Sequence, residues 1–259
     1  YVQGRIYLTD TTTAEFVKLI ENTYRDINIA IANSFAQVAE DYGVDIWEAI
    51  DLANKHPRVN ILQPGPGVGG HCIAIDPWFL TESSVRTGLI QLSREINDSM
   101  PNYVIHLVRK MLGGIQDPTL TVFGVSYKKD IGDTRETPAL KFIQLAENEG
   151  YRVRCYDPHV STFDYPLYDL DEAVQGSDCI VLITDHDLFR HIDPATLSMR
   201  HRCLIDTRNH LNKKTWIDAG FTIKTLGNGQ MLGEIPGKIP VDKPEQSLLS
   251  DSKATTKGV

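Results

Sequence analysis

The hydrophobic rhythm of this chain changes once, near residue 117, and that change limits what it can fold into. Before it, apolar residues recur at steps of three and four; after it, they gather in short runs separated by helical stretches. Strands are expected at 119–125 (TLTVFGV), 151–157, 179–185, 203–206 and 221–227, with helices near 136–149 and 169–175 between them. Strand, helix, strand at this spacing predicts an α/β fold with a parallel, doubly wound sheet. The domains read as a helical region of residues 1–114, a sheet domain of 115–230 and a flexible tail of 231–259, rich in Gly, Pro, Lys, Ser and Thr.

The helical region opens on one long segment, 12–41, with Thr12 and Glu15 in capping-box spacing and Gly43 as its stop. A helix of about 30 residues spans about 45 Å. Ile20, Tyr24, Ile27, Ile31 and Phe35 share a face, while Ile29, Ala30 and Ala32 leave little that is purely polar, so several partners should cover it. That pattern predicts a homodimer organised on this helix. Helical patterns resume at 45–54 and 89–112.

Composition removes several function classes. With 26 Lys and Arg against 34 Asp and Glu, a net charge of −8, neither nucleic acid nor an anionic membrane is an expected partner. Cys72, Cys155, Cys179 and Cys203 form no CxxC pair, so neither a disulfide framework nor a metal module is expected, and a reducing cytoplasm is the expected location. No apolar run approaches the roughly 18 residues of a membrane span. The opening Tyr1-Val2-Gln3-Gly4-Arg5-Ile6 reads as the continuation of an upstream segment.

The candidate chemistry lies in two loops. Residues 57–70 are too dense in Pro and Gly for regular structure and deliver His71 and Cys72 to a helix whose expected N-cap is Asp76, ahead of Pro77. Gly65, Gly67 and Gly70 spell GxGxxG, but Pro64 and Pro66 spoil the strand and helix that a dinucleotide turn requires. Cys72, near a helix N-terminus, reads either as a nucleophile or as a small buried apolar residue. His71 beside it suggests a Cys-His dyad, which neighbours pointing opposite ways in an extended segment would not form. Lys18 and Asn22, four apart, can face one oxyanion or simply be solvated. Asp76 can cap its helix or orient a water. The second loop, Tyr127 to Ala139, opens from a strand end through Lys128, Lys129 and Arg135 onto a helix N-terminus, where α/β sheets hold phosphates, unless it is a solvated charged loop.

Three stretches in order, AEFVKLIEN (Ala14 to Asn22), GGHCIAIDP (Gly69 to Pro77) and GVSYKKDIGDTRETPA (Gly124 to Ala139), together resemble the UDP-glucose/GDP-mannose dehydrogenase family over roughly residues 5–229. The resemblance implies a central helical dimerisation region and a Rossmann-like domain binding UDP-sugar. It also implies an N-terminal NAD-binding domain that this sequence does not contain. The implied reaction oxidises a sugar C6 alcohol to a carboxylate with two NAD molecules. In that reading Cys72 attacks the aldehyde, Lys18 and Asn22 stabilise oxyanions, and Asp76 assists proton transfer or the hydrolytic water. Gly69, Gly70, His71, Lys128, Arg135 and, as a weaker match, Arg208 contact the substrate, while Lys129 and Arg135 reach the cofactor side. Within the family, the resemblance of Pro64 to Phe79 implies UDP-N-acetyl-D-mannosamine as the sugar, with UDP-N-acetylglucosamine and UDP-glucose as alternatives. A second expectation is a nucleotide-sugar-binding and dimerisation module without turnover.

Overall fold

A computed structural model describes residues 3–232. Four helices come first: α1 (Thr11–Tyr42), α2 (Ile46–Ala53), α3 (Asp76–Ser83) and α4 (Gly88–Leu112). The start of α1 differs from the capping box expected at Thr12: Asp10 is the N-cap, and its carboxylate accepts from the N–H of Thr13 at 3.0 Å. A run of Asp and three Thr offers several candidate caps, and the aspartate wins because it also binds the Thr13 hydroxyl. Gly43 closes the helix in the left-handed conformation, as expected.

The sheet domain alternates β1 (Thr119–Phe123), α5 (Pro138–Asn148), β2 (Arg152–Tyr156), α6 (Leu170–Val174), β3 (Cys179–Leu182), β4 (Cys203–Asp206), α7 (Lys213–Asp218), β5 (Thr222–Thr225) and β6 (Met231–Leu232). The strand order is β2-β1-β3-β4-β5-β6, parallel except for β6. The doubly wound α/β expectation holds, and the order reverses between β1 and β3, the place where such sheets open a crevice at their carboxyl ends. Met231 and Leu232, expected in the tail, instead pair with Lys224 and Ile223 of β5; the remainder of the tail, 233–259, lies outside the described residues. The short helix α7, built around buried Trp216, has no counterpart in the sequence reading.

One face of the sheet joins α1, α2, α4 and α5 in a continuous apolar core that includes Ala36, Ile50, Val104, Val108, Val122, Phe142 and Ile205. The other face packs Phe123, Ile180, Leu204 and Ile223 against Phe189 and Trp216. Polar joints tie the helices to the sheet: the Trp47 indole N–H donates to the Leu226 carbonyl at 2.7 Å, and Lys224 Nζ reaches Glu40 Oε2 at 2.6 Å. No helix among the described residues is long and apolar enough to cross a membrane.

The inward face of α1 is polar. Asn22, Asp26, Asn33 and the small residues Ala30 and Ala36 are buried, whereas Ile20, Tyr24, Ile31 and Phe35 are exposed. The buried side is built on an ion pair between Asp26 Oδ1 and Arg94 Nη1 at 2.6 Å, extended by Asn97, whose amide donates to Asp26 and whose oxygen accepts from Asn33.

Candidate active site

The glycine loop is fixed from both sides. The Gly65 N–H donates to Asn33 Oδ1 at 2.8 Å, which hangs the loop from the polar face of α1, and the Gly70 N–H donates to the Arg135 carbonyl at 3.1 Å, which joins it to the loop after β1. Side chains cannot replace two of its glycines. A Cβ on Gly69 would sit 2.8 Å from Tyr127 Cβ, and one on Gly70, at φ +87°, would sit 2.8 Å from the Tyr127 ring.

Residues 71–75 then form a turn in which the Cys72 carbonyl accepts from the N–H groups of Ile75 and Asp76 at 3.1 and 2.8 Å. Cys72 is exposed, which removes the buried-apolar reading, while Cys155, Cys179 and Cys203 are buried. The segment is a turn and not an extended strand, so the alternation argument against a His71–Cys72 dyad does not apply; among the described residues, however, no hydrogen bond joins the two side chains. Asp76 does not cap its helix. It is the first residue of α3, the N-cap position falls to Ile75 without a side-chain bond, and Asp76 Oδ2 instead accepts from Asn22 Nδ2 at 2.5 Å. That bond crosses from α1 to α3 one turn beyond Cys72. Lys18 lies a turn earlier on α1, 63 % exposed and 3.5 Å from Glu21, outside this bonded pair.

On the other side of the glycine loop, the carboxyl ends of β1, β3 and β4 enclose a cavity of about 210 Å³. Gly67, Lys128, Lys129, Thr184, Asp185 and Arg208 line it. It lies at the β1/β3 reversal, where several cations meet strand ends. Arg208 Nε is 3.4 Å from Asp185, and Lys129 Nζ donates to Asp187 at 2.7 Å, so both cations already have carboxylate partners. Arg135 lies apart from this cavity, on the Cys72 side, in a bidentate bond with Asp133 that holds the Asp133 carboxyl at about 2. The structure therefore pairs Lys128 with Arg208 around one cavity and sets Arg135 beside the thiol.

Two buried carboxylates shape these turns. Asp206 accepts from the N–H groups of Arg208, His210 and Leu211 at 2.8–2.9 Å, although its burial raises its pKa. Burial alone would also raise Asp157, but the His186 ring and the N–H groups of His159 and Val125 outweigh it and hold the carboxyl below its usual value. Sequence reasoning missed Asp157 and His186. The available signal was a Tyr-Asp-Pro ending one strand and a Thr-Asp-His-Asp ending the next.

Asp130, His159 and His186 place three potential metal ligands within 4.8 Å of one another. His186 Nδ1 accepts from the Asp130 N–H at 2.8 Å and Nε2 faces Asp157 Oδ2 at 3.0 Å, so neither ring nitrogen has a lone pair to spare. For NAD the fit is also poor among the described residues. Gly124 follows β1 without further glycines at the fingerprint offsets, α5 begins only at Pro138, and Gly65, Gly67 and Gly70 lie in the clamped loop and not in a strand–turn–helix.

Comparison with known proteins gives a consistent result. Residues 12–99 match the central domain, and 121–213 the UDP-binding domain, of the UDP-glucose/GDP-mannose dehydrogenase family. A UDP-N-acetyl-D-mannosamine dehydrogenase of Methanococcus maripaludis is 52% identical over 236 residues, 88% of this chain and 55% of that protein. An NDP-N-acetyl-D-galactosaminuronic acid dehydrogenase of Ralstonia nicotianae is 41% identical over 221 residues, 83% of this chain and 52% of that protein. The solved UDP-D-ManNAc dehydrogenase of Pyrococcus horikoshii superposes with a TM-score of 0.79 at 44% identity, covering 88% of this chain and 55% of the other. The chain thus spans about half the length of the relatives it matches. Its helical region with the cysteine loop and its doubly wound sheet are the central and UDP-binding parts of that architecture, and the chain belongs to the UDP-glucose/GDP-mannose dehydrogenase family.

Proposed function

We propose that this chain is the central and UDP-binding part of an NAD-dependent UDP-sugar 6-dehydrogenase, with UDP-N-acetyl-D-mannosamine as substrate. The observation that carries the reading is the shared loop: one side presents exposed Cys72 beside the Asn22–Asp76 bond, and the other walls the cavity of Lys128 and Arg208. A diphosphate bound among the cations leaves its sugar to reach toward the thiol. The 52% identity to a UDP-N-acetyl-D-mannosamine dehydrogenase supports the choice of sugar.

Bound NAD would supply hydride acceptance at both oxidation stages, and its seat lies outside the described residues. Cys72 acts as a thiolate, the form of the side chain that attacks a carbonyl, and adds to the C6 aldehyde so that no aldehyde is released. It later leaves from the thioester when water attacks. Asn22 Nδ2 donates toward the developing oxyanion, and Asp76, aligned by that same amide, orients or deprotonates the water. Lys18 supplies a cation by swinging from Glu21. Lys128 and Arg208 hold phosphate oxygens. Arg135 and Lys129 exchange their aspartate partners for ligand, Arg135 on the substrate side and Lys129 toward the cofactor. Gly69, Gly70 and His71 form the wall along which the sugar lies.

The enzyme is a homodimer through the outward face of α1, where Ile20, Tyr24, Ile31, Phe35 and Val38 are exposed together. The alternative, a binding and dimerisation module without turnover, needs only the cavity of Lys128 and Arg208 and the outward face of α1. The two separate in one experiment: UDP-N-acetyl-D-mannosamine and NAD are given to this chain and to a longer protein carrying it. NADH from the longer protein, faster than with UDP-N-acetylglucosamine or UDP-glucose, is expected. UDP binding with no NADH from either protein would leave only the binding module.

A further inference from the structure

The loop that carries Lys128 and Lys129 makes almost no regular backbone pairing, yet its main chain is bonded at several points, and three of those bonds run to two side chains. Asp157 Oδ2 accepts from the N–H groups of Val125 at 2.7 Å and Ser126 at 3.2 Å, and its other oxygen accepts from His159 and Val160 at 2.8 and 3.2 Å. His186, fully buried, reaches the far end of the loop, where Nδ1 accepts from the Asp130 N–H at 2.8 Å. An acceptor Nδ1 places the ring proton on Nε2, which points at Asp157 Oδ2 at 3.0 Å. Asp130 sits at φ +57°, in the left-handed region that aspartate and asparagine adopt more readily than most residues. Secondary bonds follow the same plan: the Thr184 hydroxyl donates to the Ser126 carbonyl at 2.5 Å and the Ser126 hydroxyl to the Lys128 carbonyl at 2.8 Å.

We propose that His186 is a positioning residue: with Asp157 it pins the loop 125–130 over the β1/β3 reversal so that Lys128 faces the anion cavity before ligand arrives. The proposal rests on the reading of that cavity as the UDP site. The His186 ring packs edge-on against Phe189, with centroids 5.2 Å apart, and it offers what a leucine there could not, one acceptor and one donor at opposite ends. Its effect on binding is preorganisation, since a loop fixed in advance loses little freedom when the ligand binds. The carbonyl of His186 also accepts from His210 Nε2 at 2.9 Å, in the turn of Arg208, but that bond uses the backbone and survives a side-chain substitution.

The test uses His186→Leu, which loses both ring contacts, and His186→Asn, whose Oδ1 can replace the Nδ1 acceptor. UDP affinity is measured by calorimetry on the full chain, and amide exchange is measured at Val125, Ser126 and Asp130. The Arg208, His210 and Leu211 amides, held by Asp206, serve as the internal control. We expect exchange at 125–130 to rise while that at 208–211 stays unchanged, and UDP affinity to fall about tenfold in His186→Leu with partial recovery in His186→Asn. If His186→Leu does not fold, His186→Asn alone decides by the site of its exchange change. Wild-type UDP affinity in both variants, or faster exchange spread evenly over the sheet, would overturn the proposal. Failure of the wild-type chain to bind UDP would instead overturn the assignment of the cavity, and the exchange pattern would still report on the pinning.

Discussion

The helical region and the sheet domain solve burial in opposite ways. In the sheet domain an apolar cluster packs on each face of the sheet, and exposed large apolar side chains are few: Tyr168, Leu188 and Ile217 among the described residues. In the helical region the long helix α1 turns Asn22, Asp26 and Asn33 inward and Ile20, Tyr24, Ile31 and Phe35 outward. A buried carboxylate and guanidinium cost several kcal/mol each to desolvate, and only their bond and its supporting amides offset that cost. The sheet domain therefore buries its apolar faces within this chain, one of them against the helical region, whereas α1 leaves large apolar side chains exposed on its outer side and holds a polar scaffold on its inner one. That scaffold leads, through Asn33 and Gly65, to the loop of Cys72.

The comparison breaks most sharply at Arg94. Arg94→Leu leaves Asp26 buried without its partner and should cost about 3–5 kcal/mol in denaturant unfolding, while Arg94→Leu with Asp26→Leu should recover much of the loss. If the single variant unfolds like the wild type, the polar scaffold is not a structural element. A phosphate-site substitution comes next: Lys128→Ala and Arg208→Ala should each weaken UDP binding by about 1.5–3 kcal/mol in calorimetry. Arg135→Ala should cost less, because Arg135 lies outside that cavity in a bidentate bond with Asp133. Equal losses at all three positions would show that Arg135 leaves Asp133 when UDP binds. For the outer face of α1, Phe35→Glu should convert a species of about twice 29.0 kDa into one of 29.0 kDa in sedimentation, whereas Ile217→Glu on the sheet domain should leave assembly unchanged and stability within about 0.5 kcal/mol.

The smallest expected effect is on pH. Burial lowers the pKa of His210, so the fold favours the neutral ring. The stability gained is present above the unfolded value of 6.5 and is lost as pH falls through the lower folded value. His210→Gln should flatten that part of a stability–pH curve recorded from pH 7 downward. An unchanged slope would place the proton uptake elsewhere.

Much of this was legible in the residues. The five parallel strands follow from short apolar runs, and Gly43 marks the end of α1 because only a left-handed stop fits there. What escaped reading depends on distant partners. Asp76 looks like a cap beside Pro77, yet an amide 54 residues earlier takes its carboxylate. The apolar stripe of α1 looks like a core face, and only the network of Arg94 and Asn97 shows that the core lies on the other side. Arg135 seemed the natural partner of Lys128 by proximity in sequence, but the turn after β4 brings Arg208 closer to it in space. His186 and Asp157 are ordinary polar residues at strand ends until the sheet places β1, β2 and β3 side by side.

Under the proposed function, Cys72, presented by the loop that both regions clamp, carries the chemistry. Cys72→Ser keeps the loop but replaces a thiol with a hydroxyl that ionises far less readily, and among the described residues no base is bonded to it. The decisive measurement is UDP-sugar affinity alongside NADH released per enzyme, in a protein that carries this chain and the NAD-binding part. Near-normal affinity is expected, with acid formation lowered by several orders of magnitude and any residual product stalling as an ester on the serine. Near-normal turnover to the uronic acid in the serine variant would contradict it and would make Cys72 a structural residue.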